Sequence, residues 1–240
     1  MPSGPATAPA AAADGARGRG RARTLTGCLL AVTFGTGIVD ALSWVVLSGV
    51  FTANMTGNVL IVGMGIVGAG GSHWFPSLFA LAWFLIGAGV VGATARHAAP
   101  GWGRRTTVVF AAVAGTLTAV AVFAAFWQPH RLDAGAFAAT AAMALAMGAQ
   151  GAEAMRLAVP GLITIAVSSA TVGVGMSLFL GLGARGSGVA RRLAAIVLLC
   201  AGAFVGALLS PHGLAPGLLV AAAVAGLATA VGHRQVREAA

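Results

Sequence analysis

The chain has 240 residues, of which 58% are hydrophobic and only 8% charged, and its mean hydropathy is +0.93. A soluble domain carries roughly a quarter charged residues, so this composition cannot clothe a water-facing surface and lipid must be the outer solvent. The net charge of +9 comes from fourteen basic residues, all arginine, against five acidic ones. The arginines sit mainly at the ends of apolar runs, where they orient helices and meet anionic headgroups; no basic stretch interleaved with aromatics indicates nucleic acid.

In chain order, residues 1–24 are rich in Ala, Pro and Gly and end in Arg17, Arg19, Arg21 and Arg23. They read as a disordered cytoplasmic tail with an arginine anchor. The apolar run that follows, about Leu25 to Val50, is too long for a signal-peptide core and carries no A-x-A cleavage site, so it reads as a first spanning helix. Seven further apolar runs follow at about 53–71, 75–95, 106–127, 134–155, 161–182, 190–209 and 214–232, with 233–240 as a second cytoplasmic tail. Each is close to the ~20 residues needed to cross a hydrocarbon core. Glycine and proline clusters such as Gly70-Gly71-Ser72-His73, Pro100-Gly101-Trp102-Gly103 and Pro160-Gly161 separate them.

Arginine placement sets the expected topology. If all eight runs span from a cytoplasmic N-terminus, ten arginines fall inside and four outside. If the second and sixth runs enter and leave on one side, thirteen fall inside and only Arg131 outside. Short loops obey the positive-inside bias, which favours the second arrangement. The fold class expected is therefore all-α, a polytopic bundle of eight apolar segments with six full spans and two partial ones. Its halves, about 25–127 and 134–232, would be inverted repeats within one transmembrane domain. A short overlay supports the pairing: Val62-Gly63-Met64 falls on Val174-Gly175-Met176 and Thr56 on Ser168.

Polar residues inside apolar runs mark the candidate site. Asp40 lies in the second half of run one, ten residues before Phe51. A carboxylate at helix centre costs about 2.5–3.5 kcal/mol on insertion scales, so it is expected to face a partner or a wet cavity. Asn54, Thr56 and Asn58, with Gly57 between, form a hydrogen-bonding cluster at the mouth of run two. In the second half, Gln150, Glu153 and Arg156 share one helical face, where Glu153 and Arg156 can pair. Either this is an interfacial anchor, or Gln150 and Glu153 are the counterpart of Asp40, with Ser168 the counterpart of Thr56.

Other patterns carry less. Gly63-Met-Gly65-Ile-Val-Gly68 fits G-x-G-x-x-G but has no preceding strand and no acidic residue twenty positions on; close helix packing explains it, as it explains Gly202-x-x-x-Gly206. Cys28 and Cys200 form no disulfide framework, the five histidines have no zinc spacing, and no G-x-S-x-G nucleophile elbow occurs. No cofactor, metal or enzyme activity is expected.

Gly37-x-x-Asp40-Ala followed by Phe51-x-Ala-Asn54-Met-Thr56-Gly57-Asn58 resembles the signature of the YoaK-like family of bacterial integral membrane proteins, whose function is uncharacterised. Met147-Gly148-Ala-Gln150-Gly151-Ala152 before Val159-Pro160 is similar to the family's second motif, with Gly151 where the family usually has Asn and Ser168 where it usually has Thr. The resemblance implies a multi-pass protein of a bacterial cytoplasmic membrane. The function expected is a small-solute or ion transporter or channel, with a non-transporting scaffold or assembly factor as the alternative. Its partners would be the lipid bilayer and a small polar solute or ion, with a second copy of the chain as a further candidate.

Overall fold

A computed structural model of the chain describes residues 8–47, 49–69, 74–95, 101–127, 132–157, 167–179 and 187–237. The described residues form helices and no strand: α1 Ala8–Val46, α2 Met55–Ile66, α3 Trp74–Ala95, α4 Arg104–Trp127, α5 Ala134–Arg156, α6 Val167–Phe179, α7 Ser187–Leu209 and α8 Ala215–Arg237, with a 3-10 turn at Ser210–His212. Helix is the form in which an isolated apolar run satisfies its own backbone. The breakers at Gly70–His73, Pro100, Pro129 and Pro160-Gly161, together with Arg96 and Arg131, lie outside the described residues.

Among the described residues, five helices are long and apolar enough to cross a membrane: Gly18–Val46 of α1, then α3, α4, Gly188–His212 and Ala215–Gln235. α5 has comparable length, 23 residues, but a different composition. It is built of Ala, Gly and Met with Gln150 and Glu153, and 13 of its residues are buried, because neighbouring helices rather than lipid enclose it. The two segments expected to be partial are short. α2 has 12 residues, about 18 Å at 1.5 Å per residue, well under the ~30 Å of a hydrocarbon core. α6 has 13, and the rest of its apolar run lies outside the described residues.

The boundaries of α1 differ from the sequence expectation at both ends. The helix begins at Ala8, within the stretch read as an unstructured tail, because Ala and Arg are strong helix formers. It ends at Val46, before the expected Val50, and Gly49 at φ 65° turns the chain back. That positive φ is why a glycine stands there.

α1 packs on α7 and α8, α3 on α5, and α4 on α8 and α5, while α2 lies on α3 and α6 on α7. Specific contacts give the directions. Cys28 meets Ala228 and Leu42 meets Gly217, so α1 and α8 are antiparallel. Thr107 meets His233, so α4 starts where α8 ends. Thr106 reaches Glu153 while Trp127 meets Gly135, so α4 and α5 are antiparallel. Phe79 meets Phe137 edge-to-face and Gly87 meets Leu145, so α3 and α5 are parallel. It follows that α3 runs opposite to α1, and that α2 leaves and rejoins the bundle at one end.

Two crossings bring backbones into contact through glycine. A Cβ at Gly37 would lie 2.2 Å from the Leu199 carbonyl oxygen and 2.8 Å from the Ala203 nitrogen; one at Gly202 would lie 2.0 Å from the Phe34 oxygen. In the other pair, a Cβ at Gly148 would lie 2.1 Å from the Phe84 oxygen and 3.1 Å from the Ala88 nitrogen, and one at Gly87 would lie 2.0 Å from the Leu145 oxygen. The expected packing role of Gly202 and Gly206 is met, since Gly206 abuts Ile38. Gly63 differs: nothing lies within 4 Å of its Cβ position, and Gly68 at φ 72° follows the end of α2 instead.

Gly148→Leu or Gly202→Leu is expected to destabilise the protein by at least the ~1–3 kcal/mol typical of overpacking, read as a lower unfolding temperature in detergent. Gly89→Ala, in the interior of α3 with nothing within 4 Å, is expected to leave it unchanged or raise it slightly.

Candidate functional site

The site begins with the return of the chain after α1. Residues 50–54 are not helical, so their amides need acceptors, and side chains supply them. The Thr52 and Ala53 N–H groups donate to Asp40 Oδ1 at 3.0 and 2.7 Å. Asn58, fully buried, closes a two-bond clasp on Phe51: its Oδ1 accepts the Phe51 N–H at 3.0 Å and its Nδ2 donates to the Phe51 carbonyl at 2.6 Å. Asn54 is the N-cap of α2, accepting the Gly57 N–H at 3.4 Å.

Gly57 has a steric reason. A Cβ there would lie 2.8 Å from the Phe51 ring, so only glycine lets that ring settle on the first turn of α2. Phe51 in turn stacks on Trp44 with centroids 4.6 Å apart and an interplanar angle of 18°. The ten-residue separation of Asp40 from Phe51 therefore does not become 15 Å of helix. The chain doubles back and brings residues 51–53 down to the carboxylate.

Between α1, the start of α2 and α7 lies a cavity of about 670 Å³. Asp40, Asn54, Thr56 and Gly57 line it together with Thr36, Trp44, Phe51 and a wall of α7 formed by Leu199, Ala203 and Ala207. Four of the sequence-predicted residues are thus brought to one cavity. Asn58 is not on its wall; it acts one layer behind, through Phe51. Gln150 also stands behind it, donating from Nε2 to Thr36 Oγ1 at 2.9 Å.

Glu153 is elsewhere. Its carboxylate is fully buried and belongs to a cluster at the end of the bundle where α1 begins. Oε1 accepts from Thr106 Oγ1 at 2.8 Å and from Arg156 Nε at 2.9 Å, while Oε2 pairs with Arg105. Arg105 also donates to the Val91 carbonyl and to Thr94 Oγ1, tying α3 to α4 and α5. The predicted Glu153–Arg156 pair is present, and it is not joined to the Asp40 cavity. Ser168 stands in the first turn of α6, and its side chain lies outside the described residues.

Sequence reading missed Thr36, Trp44 and Arg105. Thr36 and Trp44 lie four residues either side of Asp40, one helical turn away, a spacing that could have singled them out. Arg105 carried no such signal, since its partner is 48 residues distant.

The described residues, all-helical apart from turns, with five long apolar helices and a cavity between α1, α2 and α7, have the make-up of an integral membrane protein. The chain belongs to the DUF1275 family, proteins of unknown function, which matches residues 28–231. No curated protein and no solved structure matches the chain.

Asn58→Ala leaves both Phe51 backbone groups without their partners, and unsatisfied buried groups cost about 1–3 kcal/mol each. The expected result is a clearly lower unfolding temperature in detergent, larger than that of Asn54→Ala, whose single cap is worth about 1 kcal/mol.

Proposed function

We propose that the protein is a transporter or channel for a small solute or ion, set in a bacterial cytoplasmic membrane with both termini on the cytoplasmic side. The YoaK-like resemblance fits this setting, and no catalytic role is part of the proposal. The observation that carries it is the cavity walled by Asp40, at the joint between a long helix and a short one. Inverted-repeat carriers build solute sites at such joints, where interrupted helices present polar groups at membrane depth.

The finer topology belongs to the same proposal. α1, α3, α4, α5, α7 and α8 would span fully, and α2 and α6 partially. Chain direction supports this, because α3 runs opposite to α1 although α2 stands between them. An inverted repeat is supported by the packing pairs: exchanging α1–α4 for α5–α8 converts α1 on α7 into α5 on α3, α1 on α8 into α5 on α4, and α2 on α3 into α6 on α7. It is supported again by the glycine crossings. Gly37 meets residues three before and one after Gly202, and Gly148 meets residues three before and one after Gly87. With this topology Arg104, Arg105, Arg156, Arg191, Arg192, Arg234 and Arg237 gather at the end where α1 begins, as the positive-inside bias requires of a cytoplasmic face.

A second reading, a membrane scaffold or assembly factor, is favoured by one observation. Asn54, Asn58 and Asp40 Oδ1 are all engaged by backbone amides and so shape the loop.

Two experiments separate these readings. In a background of Cys28→Ala and Cys200→Ala, a cysteine placed at Gly103 is expected to label only from the cytoplasm and one at Gly68 only from the opposite side. Reversed labelling would restore eight full spans. In proteoliposomes tested with a panel of small solutes, Asp40→Asn keeps Oδ1 as an acceptor, so the variant is expected to stay folded while losing more than about tenfold in flux, the equivalent of 1.4 kcal/mol. Wild-type flux in that variant would favour the scaffold.

A further inference from the structure

We propose that the cavity is an organic-ammonium site, in which Asp40 Oδ2 receives the cationic head and the Trp44–Phe51 pair faces the body of the ligand. This deepens the transport reading by naming its substrate class, and rests on that cavity being the ligand site. Three features carry it.

The first is charge. Asp40 is half-buried, and neither of the ion pairs among the described residues includes it. Among the described residues it is also the only ionisable side chain on the cavity wall. A carboxylate at membrane depth is costly and normally faces a partner or a wet cavity. The Thr52 and Ala53 amide bonds both fall on Oδ1, and the Asn54 N–H also lies near the carboxyl group; in the proposed site Oδ2 is assigned to the ligand.

The second is the wall. Trp44 is 43% exposed and stacks on Phe51 at the cavity edge, one turn beyond Asp40 on the same helix. An aromatic face within about 6 Å attracts a cation, Trp most strongly. Leu60, Leu199, Ala203 and Ala207 make the remainder apolar.

The third is size and the supply of oxygen ligands. A cavity of about 670 Å³ falls within the ~300–1,000 Å³ of small-molecule sites. A calcium or magnesium ion takes about six oxygen ligands, whereas only four residues of this lining carry side-chain oxygen, Thr36, Asp40, Asn54 and Thr56. An anion would face the carboxylate with no basic side chain on the wall. An ammonium head with a compact apolar body satisfies charge, aromatic face and apolar wall together, with Thr56 and Asn54 within the same lining to accept remaining N–H donors.

The test uses the full chain in lipid nanodiscs, titrated calorimetrically with phenethylammonium, its neutral analogue 2-phenylethanol and the anion phenylacetate, with empty nanodiscs subtracted. Saturable binding of phenethylammonium alone is expected, weakened about tenfold by Trp44→Leu and by more than about tenfold by Asp40→Asn. Thermal unfolding of each variant reports whether it is folded, and Trp44→Leu leaves both Asp40 amide bonds in place should Asp40→Asn fail. Equal affinity for 2-phenylethanol, or phenethylammonium binding unchanged in folded Asp40→Asn, overturns the proposal. Cation binding without flux of any solute overturns transport and leaves the ammonium site standing. Flux of a neutral or anionic solute without cation binding overturns the ammonium site and leaves transport standing.

Discussion

A backbone amide removed from water must find an acceptor, and the organisation of this protein follows from how that demand is met where the chain turns back after α1. Between Val46 and Met55 the helix ladder is interrupted, and three side chains replace it. Asp40 receives two amides, Asn58 clasps Phe51 at both of its backbone groups, and Asn54 caps α2. These bonds determine where α2 begins and how Phe51 meets Trp44, and hence the shape of the cavity beside α7. Asp40 therefore both holds the loop, through Oδ1, and borders the cavity.

The two glycine crossings share a register, but the polar groups built on them are unequal. Three residues after Gly37 comes Asp40; three residues after Gly148 comes Gly151. The carboxylate of α5 stands two positions later, at Glu153, and is neutralised by Arg105 and Arg156 within a network that reaches Thr94, Thr106 and the Gly101 carbonyl. One end of the bundle thus holds a cavity bordered by a carboxylate that has no ion-pair partner among the described residues, and the other a buried carboxylate held by two arginines. Removing a single partner from such a buried network leaves an uncompensated charge, so it clamps α3, α4 and α5 together at that end.

Membrane character, eight helical segments and the candidate stretch around Asp40 and Asn54–Asn58 were legible in the chain itself. Run length, charge scarcity and isolated polar residues are local properties, and local properties are what a sequence displays directly. The short length of α2 was foreshadowed by arginine placement, which reports sidedness without reference to contacts. What each polar residue does was not legible. Asn58 looked like a ligand-facing group and is a buried clasp; Glu153 read either as an interfacial anchor with Arg156 or as the counterpart of Asp40, and it is an ion-pair hub at the other end of the bundle. Hydrogen-bonding capacity is written in the residue type, whereas the partner is set by which backbone or side chain arrives from elsewhere. Trp44 meets Phe51 because the chain doubles back after α1, Arg105 meets Glu153 where α4 packs on α5, and Gln150 meets Thr36 where α5 touches α1, and that proximity belongs to the tertiary structure alone.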